Sequence, residues 1–161
     1  MSIKVIDYDP AHQPAIDKMM EGIQSEFSVA ITGPTSALLN TFYNKPGYRF
    51  WVAMCNEQVV GTIGVKLFAP GMAEIKRMMV DKDFRGTEYR TASLLMETAL
   101  DHAKENHCKL IYLGTMEQFI AAQKFYLRYG YVPVAEKDLP EEYVINPMDK
   151  LFYKLEMGRI K

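Results

Sequence analysis

The apolar positions of this chain follow two periods, and the switches between them mark out its elements. Residues 3–8 alternate Ile3, Val5 and Asp7 with Lys4, Ile6 and Tyr8, the two-residue period of a short strand. Asp9-Pro10 supplies an N-cap and a first-turn proline, and Ile16, Met19, Met20 and Ile23 then recur at amphipathic-helix spacing. Thr32-Gly33-Pro34-Thr35 breaks the pattern, residues 36–43 predict a second short helix, and Pro46-Gly47 ends it. Residues 50–54 and 59–68 read as a hairpin around Asn56-Glu57, with Gly61 and Gly64 marking a bulge or a close backbone approach in its second strand.

Ala69-Pro70-Gly71 turns the chain into a strand over residues 74–80, and residues 81–84 form a loop. After Gly86, Leu95, Met96, Ala99, Leu100 and Ala103 share one helical face, and Asn106-His107 closes that helix. Residues 109–113 form a strand of buried type. A last helix begins at Thr115 or Met116, carries Phe119, Ala122, Phe125, Tyr126 and Tyr129 on one stripe, and has Gly130 as its C′ residue. Short strands are expected over residues 131–134 and 151–156, separated by a charged, proline-bearing surface loop over residues 135–148.

No repeat, low-complexity tract or linker divides the chain, so residues 1–161 are expected to form one domain, a length that supports a real core. The formal charge of −1 gives no basic footprint for nucleic acid. The two cysteines, Cys55 and Cys108, have apolar neighbours and read as reduced core thiols rather than metal ligands. The N-terminus has no long apolar run and no segment approaches the roughly 20 apolar residues that span a bilayer, so a soluble cytoplasmic protein without membrane association is expected.

The order of elements from Glu74 to Tyr131 is specific. A β-type run, Ile75 to Val80, leads to Arg85-Gly86 at the head of a helix, followed by a strand and then a helix carrying Phe125-Tyr126 before Gly130. This order resembles the GCN5-related N-acetyltransferases. The resemblance implies an α/β (α+β) fold with a mixed, largely antiparallel sheet of about six to seven strands and about four helices. Two neighbouring parallel strands, over residues 74–80 and 109–113, are then expected to splay around acetyl-CoA.

The resemblance also implies roles. The amides of Arg85, Gly86, Thr87, Glu88, Tyr89, Arg90 and Thr91 are expected to cradle the pyrophosphate, because a helix N-terminus offers N–H donors and a favourable dipole, and a glycine lets the backbone approach. The loop fits the variant form Arg-Gly-x-x-aromatic-Gly, with Arg90 in place of the later glycine. Met78, Met79 and Val80 would pair with the pantetheine arm, the Met78 N–H polarising the thioester carbonyl. Tyr126 is the expected acid that protonates the departing thiolate, since a phenol stays protonated at neutral pH. Glu74, four residues before Met78, is the expected base. Phe119 stands where many relatives have a cofactor-contacting asparagine.

The implied activity is acetyl transfer from acetyl-CoA to a primary amine by direct attack. The acceptor is a small molecule or a peptide, shaped by residues 20–48 and 135–148, with Glu21 and Glu26 favouring a cationic amine. Two alternatives stand beside this reading. One is a non-catalytic module that senses acetyl-CoA or contacts proteins, and the other is an enzyme with another acyl donor or a hydroxyl acceptor. A homodimer is compatible with the family.

Overall fold

The computed structural model describes residues 2–31, 39, 43–86 and 88–159. The strands are β1 (Ile3–Asp7), β2 (Arg49–Cys55), β3 (Gln58–Ala69), β4 (Met72–Val80), β5 (Leu110–Thr115), β6 (Val132–Val134) and β7 (Leu151–Glu156). They form one sheet in the order β1-β2-β3-β4-β5-β7-β6. Every neighbouring pair is antiparallel except β4 with β5. Three α-helices lie among the described residues: α1 (Gln13–Gln24), α2 (Thr91–Glu105) and α3 (Ile120–Tyr129). The helix expected over residues 36–43, and the breaker at 32–35, lie outside the described residues apart from Leu39 and Tyr43.

Side-chain alternation along the strands builds two main cores, one on each face of the sheet, beside a smaller cluster of Tyr112, Tyr143 and Phe152. On β2, Trp51, Ala53 and Cys55 join a core with Leu95, Met96, Ala99, Leu100 and Ala103 of α2. Phe50 and Val52 face the other way, against Ile16, Met19, Met20 and Ile23 of α1. On β4, Ala73 and Ile75 enter the α2-side core. Glu74 therefore projects from the opposite face.

The local boundaries follow from capping and pairing. Asp9 accepts a hydrogen bond from the Ala11 N–H at 2.9 Å, and His12 Nδ1 accepts one from the Asp9 N–H at 3.0 Å, which fixes a 3₁₀ turn ahead of α1. The loop expected over residues 81–84 is a 3₁₀ turn, Lys82–Phe84, whose Asp81 carboxylate accepts from the Asp83 N–H. The last helix starts later than the apolar stripe predicts. Thr115 pairs with Leu151 at the end of β5, and the Lys150 N–H donates to its carbonyl, so sheet pairing wins over helix propensity at Thr115, and a turn over residues 116–119 precedes the helix at Ile120. Residues 135–148 are also more than a surface loop. They contain a 3₁₀ turn, Glu136–Asp138, and insert Tyr143 as a buried ring against Phe68, Tyr112 and Phe152.

Candidate active site

The parallel pairing of β4 with β5 runs only from Met72↔Leu110 to Ile75↔Leu113. Beyond that point β4 continues along β3 alone, with Thr62 opposite Met79 and Gly61 opposite Val80. The register slips between Gly64↔Lys76 and Thr62↔Met79, so two steps on β3 face three on β4. This is a β-bulge, and it leaves Arg77 and Met78 without a register partner on either neighbour. Arg77 adopts φ 50°, a left-handed conformation costing a non-glycine residue about 1–2 kcal/mol. The Thr62 hydroxyl holds it by donating to the Arg77 carbonyl at 2.8 Å. Gly64 makes room for the bulge's neighbours, since a Cβ there would lie 2.6 Å from Tyr43 Oη and 2.8 Å from Phe50 Cδ1.

The splay opens a cavity of about 1210 Å³. It reaches through the sheet, because its walls come from both cores: Ile23 and Phe27 from one, Ala122 and Tyr126 from the other. At one end lies the head of α2. Among the described residues no side chain caps this helix, so its first N–H groups lack the usual side-chain acceptor there. Gly86 has φ 97° and Arg90 has φ 56°, so the position where a glycine is expected takes the backbone shape that a glycine adopts freely. These are the features of an anion cradle built from backbone. They fit a pyrophosphate, and the unpaired β4 edge fits an extended arm beside it.

Met78, Met79, Val80, Arg85, Gly86 and Arg90 all line this cavity. Glu88 is exposed and Tyr89 stacks on Phe84 with centroids 5.0 Å apart, so neither side chain enters the lining. Thr87 lies outside the described residues. Thr91 is fully buried beneath the lining, its hydroxyl without a hydrogen-bond partner among the described residues. Ala92 and Ser93, the next two residues of α2, do line the cavity. The cradle expected from the sequence ends at Thr91, directly before them, although the first helical turn is where amides point outward.

Two arginines at this end are already engaged. Arg85 Nη1 and Nη2 donate to Glu26 Oε1 and Oε2 at 2.7 and 2.9 Å, and Nε donates to the Val80 carbonyl at 2.9 Å. Arg90 Nη2 lies 3.4 Å from Glu97 Oε2 on the exposed face of α2. The fork between Arg85 and Glu26 corrects one expectation: the Glu26 carboxylate is occupied by a cation of this chain, and Glu21 is exposed outside the cavity lining.

The opposite end of the cavity is built from side chains. Glu74 is 2 % exposed, and burial holds its carboxyl above the ordinary carboxylate range, with Lys76 as the main opposing charge. Its Oε2 lies 3.7 Å from Lys76 Nζ, while Oε1 has no hydrogen-bond partner among the described residues. The Tyr143 hydroxyl faces Glu74 closely enough to favour the ionised carboxylate, though not at good hydrogen-bond geometry, and Tyr143 Oη is likewise unpartnered. Tyr126 is 5 % exposed, packed by Tyr131 and Tyr153 with centroids 5.7 and 5.9 Å away. Burial, then the negative charge of Asp149, pushes its phenol well above the usual value. It therefore keeps its proton at neutral pH.

Asp149 is the residue that sequence reading missed here. It sits against the backbone of β5, so close that a Cβ on Gly114 would lie 2.5 Å from its Oδ2. Burial raises its carboxyl pKa and Lys76 opposes that rise. Asn146 and Met148 line the cavity beside it. Phe119 closes the wall edge-on to Phe27, centroids 5.1 Å apart, so an aromatic contact occupies the position where an asparagine is expected.

Comparison with known proteins agrees with this architecture. The sequence model described as Acetyltransferase (GNAT) family matches residues 16–131. An acetyltransferase of the GNAT family from Staphylococcus aureus MU50 superposes with a TM-score of 0.88 at 30% identity, over 97% of this chain and 99% of that one. N-acetylaspartate synthetase from Xenopus tropicalis is 30% identical over 140 residues, 85% of this chain and 51% of the relative. The Danio rerio N-acetylaspartate synthetase is 32% identical over 130 residues, 76% of this chain and 44% of that relative. The chain thus spans about half the length of the curated relatives it matches. The family match, and the near-complete superposition on a solved member, show that the chain belongs to the GNAT acetyltransferase family.

Proposed function

We propose that this chain transfers an acetyl group from acetyl-CoA to the primary amine of a small amino acid by direct attack. The observation that carries the reading is the juxtaposition in one cavity of a backbone anion cradle, an unpaired strand edge, the buried carboxyl of Glu74 and the buried phenol of Tyr126. Acetyl-CoA supplies an activated thioester, and the residues of the chain supply orientation and proton transfer.

Glu74 accepts a proton from the incoming ammonium, directly or through a water. A carboxyl whose pKa is raised by burial is better matched to an amine than an ordinary surface glutamate is. Asp149 adds a second acidic group on the same side, and burial, then the charge of Asp149, favours the protonated form of Tyr126. Tyr126 then donates its proton to the departing sulfur. The backbone of β4 from Lys76 to Val80 holds the extended arm in register. Among the described residues no cysteine lines the cavity; Cys55 and Cys108 are buried in the α2-side core. This supports direct attack over an acyl-enzyme.

The acceptor class draws support from the relatives, whose names specify synthesis of an N-acetylated amino acid. The test is a thiol-release assay with acetyl-CoA and a panel of aspartate, glutamate, asparagine, propylamine, spermidine and a peptide N-terminus, products verified by mass. An amino acid is expected to show the highest kcat/KM. Preference for spermidine or the peptide would contradict the acceptor class, and release with none of the amines would favour a sensing module.

A further inference from the structure

Arg77 has no task in the chemistry just described, yet it is placed with unusual care. By strand alternation Glu74 and Lys76 project from the α1 face, and residue 77 would point into the α2-side core. The bulge and the left-handed turn at Arg77 break that alternation. The side chain instead lines the cavity together with Tyr43, while Asp17 of α1, outside the lining, also acts on its charge. Glu74, Tyr43 and Arg77 all line this cavity, so these three groups share one chamber.

The guanidinium is half-buried, and burial lowers its pKa against the opposing influence of Tyr43 and Asp17. Among the described residues it donates no hydrogen bond and forms no ion pair. The other cavity cations differ: Arg85 is forked onto Glu26, Arg90 faces Glu97, Lys76 faces Glu74, and Arg128 is exposed on α3. A half-buried fork of five donors with no acceptor among the described residues is a strong site for a planar anion, and a carboxylate matches it with two parallel bonds. Tyr43, whose pKa burial raises, keeps its proton beside it.

We infer that Arg77 is a specificity-determining residue that anchors a carboxylate of the acceptor in the chamber shared with Tyr43, leaving the amine to face Glu74. An anionic and a cationic side chain three residues apart on one strand suit a zwitterion, with its ammonium on Glu74 and its carboxylate on Arg77. The inference rests on the amino-acid reading above and deepens it.

The test compares aspartate with propylamine as acceptor for wild type, Arg77→Met and Arg77→Lys. With aspartate, Arg77→Met is expected to lower kcat/KM by about 10- to 100-fold, the worth of hydrogen bonds to a charged group. The loss falls mainly on the KM for aspartate, and the aspartate-to-propylamine ratio of kcat/KM falls by the same factor. Arg77→Lys restores part of the ratio, since it keeps the charge and loses the fork. An unchanged ratio in both variants, or an equal loss on both acceptors, overturns the role of Arg77 while leaving the acceptor class standing. A wild-type preference for propylamine overturns the acceptor class itself, and the anchoring role with it.

Discussion

The two ends of the cavity are made of different material. The end at α2 is backbone: an uncapped helix head, Gly86 and Arg90 at positive φ, and a strand edge without a partner. The other end is side chains, with Glu74, Lys76 and Arg77 from β4, Tyr126 from α3, and Asp149 from the segment before β7. A backbone cradle recognises what all acetyl-CoA donors share and tolerates variation in its side chains. A chamber of buried ionisable groups is suited to set proton affinities and, as proposed, to read the acceptor. Substitutions at the first end should therefore move affinity slightly, and substitutions at the second should move rate or selectivity strongly.

Tyr126→Phe is the sharpest way to probe that contrast. Losing the proton donor should lower kcat by about 10²- to 10³-fold, within the usual range for general acid catalysis. The phenol makes no hydrogen bond among the described residues, so the fold should keep its melting temperature within a few degrees. A kcat within threefold of wild type would remove Tyr126 from the chemistry.

Glu74→Gln should lower kcat/KM by about 10- to 100-fold and abolish the acidic limb of the pH profile. In wild type that limb lies above the ordinary glutamate range, because burial raises the Glu74 pKa. The same shift fixes the sign of a stability effect. The folded pKa exceeds the unfolded one, so the stabilisation from protonated Glu74 is full below the unfolded pKa and is lost as pH rises through the folded value. At neutral pH the ionised carboxylate is a burden, and Glu74→Gln should stabilise by about 0.5–1 kcal/mol, a rise of roughly 1–4 °C. A melting temperature that falls at neutral pH while rising at pH 4 would reverse this sign.

Gly114→Ala tests the packing of the side-chain end. Its Cβ would lie 2.5 Å from Asp149 Oδ2 and 3.0 Å from Asp149 Cγ, so the carboxylate must move. Overpacking of this kind costs about 1–3 kcal/mol, and kcat/KM should fall about tenfold as Asp149 leaves Tyr126. Equal activity with an unchanged melting curve would show that Asp149 has room to spare.

Arg90→Gly carries the smallest expected effect. Relief of the left-handed strain, about 1 kcal/mol, is offset by the greater unfolded-state freedom of glycine. The exposed contact with Glu97 adds little, so acetyl-CoA affinity should change less than about threefold. A tenfold gain in affinity would mean that the Arg90 side chain obstructs the cradle, and that this end is not indifferent to its side chains.

Legibility in the sequence divides along the same line. The cradle end is local: the strand before Arg85, the glycine, and the helix stripe of Leu95, Met96 and Ala99 lie within one stretch of chain. Period and turn chemistry therefore reach it, and only Ala92 and Ser93 were left out. The chamber end depends on pairing across strands. The re-aiming of Arg77 requires the slip against Thr62 and Gly64, which no local pattern encodes. The visible signal was a pair of basic residues, Lys76-Arg77, inside an otherwise apolar strand. Asp149 and Tyr143 lie in a charged, irregular segment, where burial comes from contacts with Gly114 and Phe152 distant in sequence. Thr115 shows the same competition at smaller scale, since its pairing with Leu151 delays a helix that the apolar stripe alone would begin earlier.

The central claim is that backbone holds the donor while side chains perform the transfer. Calorimetric titration of acetyl-CoA into the Glu74→Gln, Tyr126→Phe double variant, beside wild type, tests it most directly. The account predicts 1:1 binding with a Kd within about threefold of wild type, in a protein whose turnover has collapsed. A Kd weakened tenfold or more in the double variant, or no binding to wild type, would contradict it.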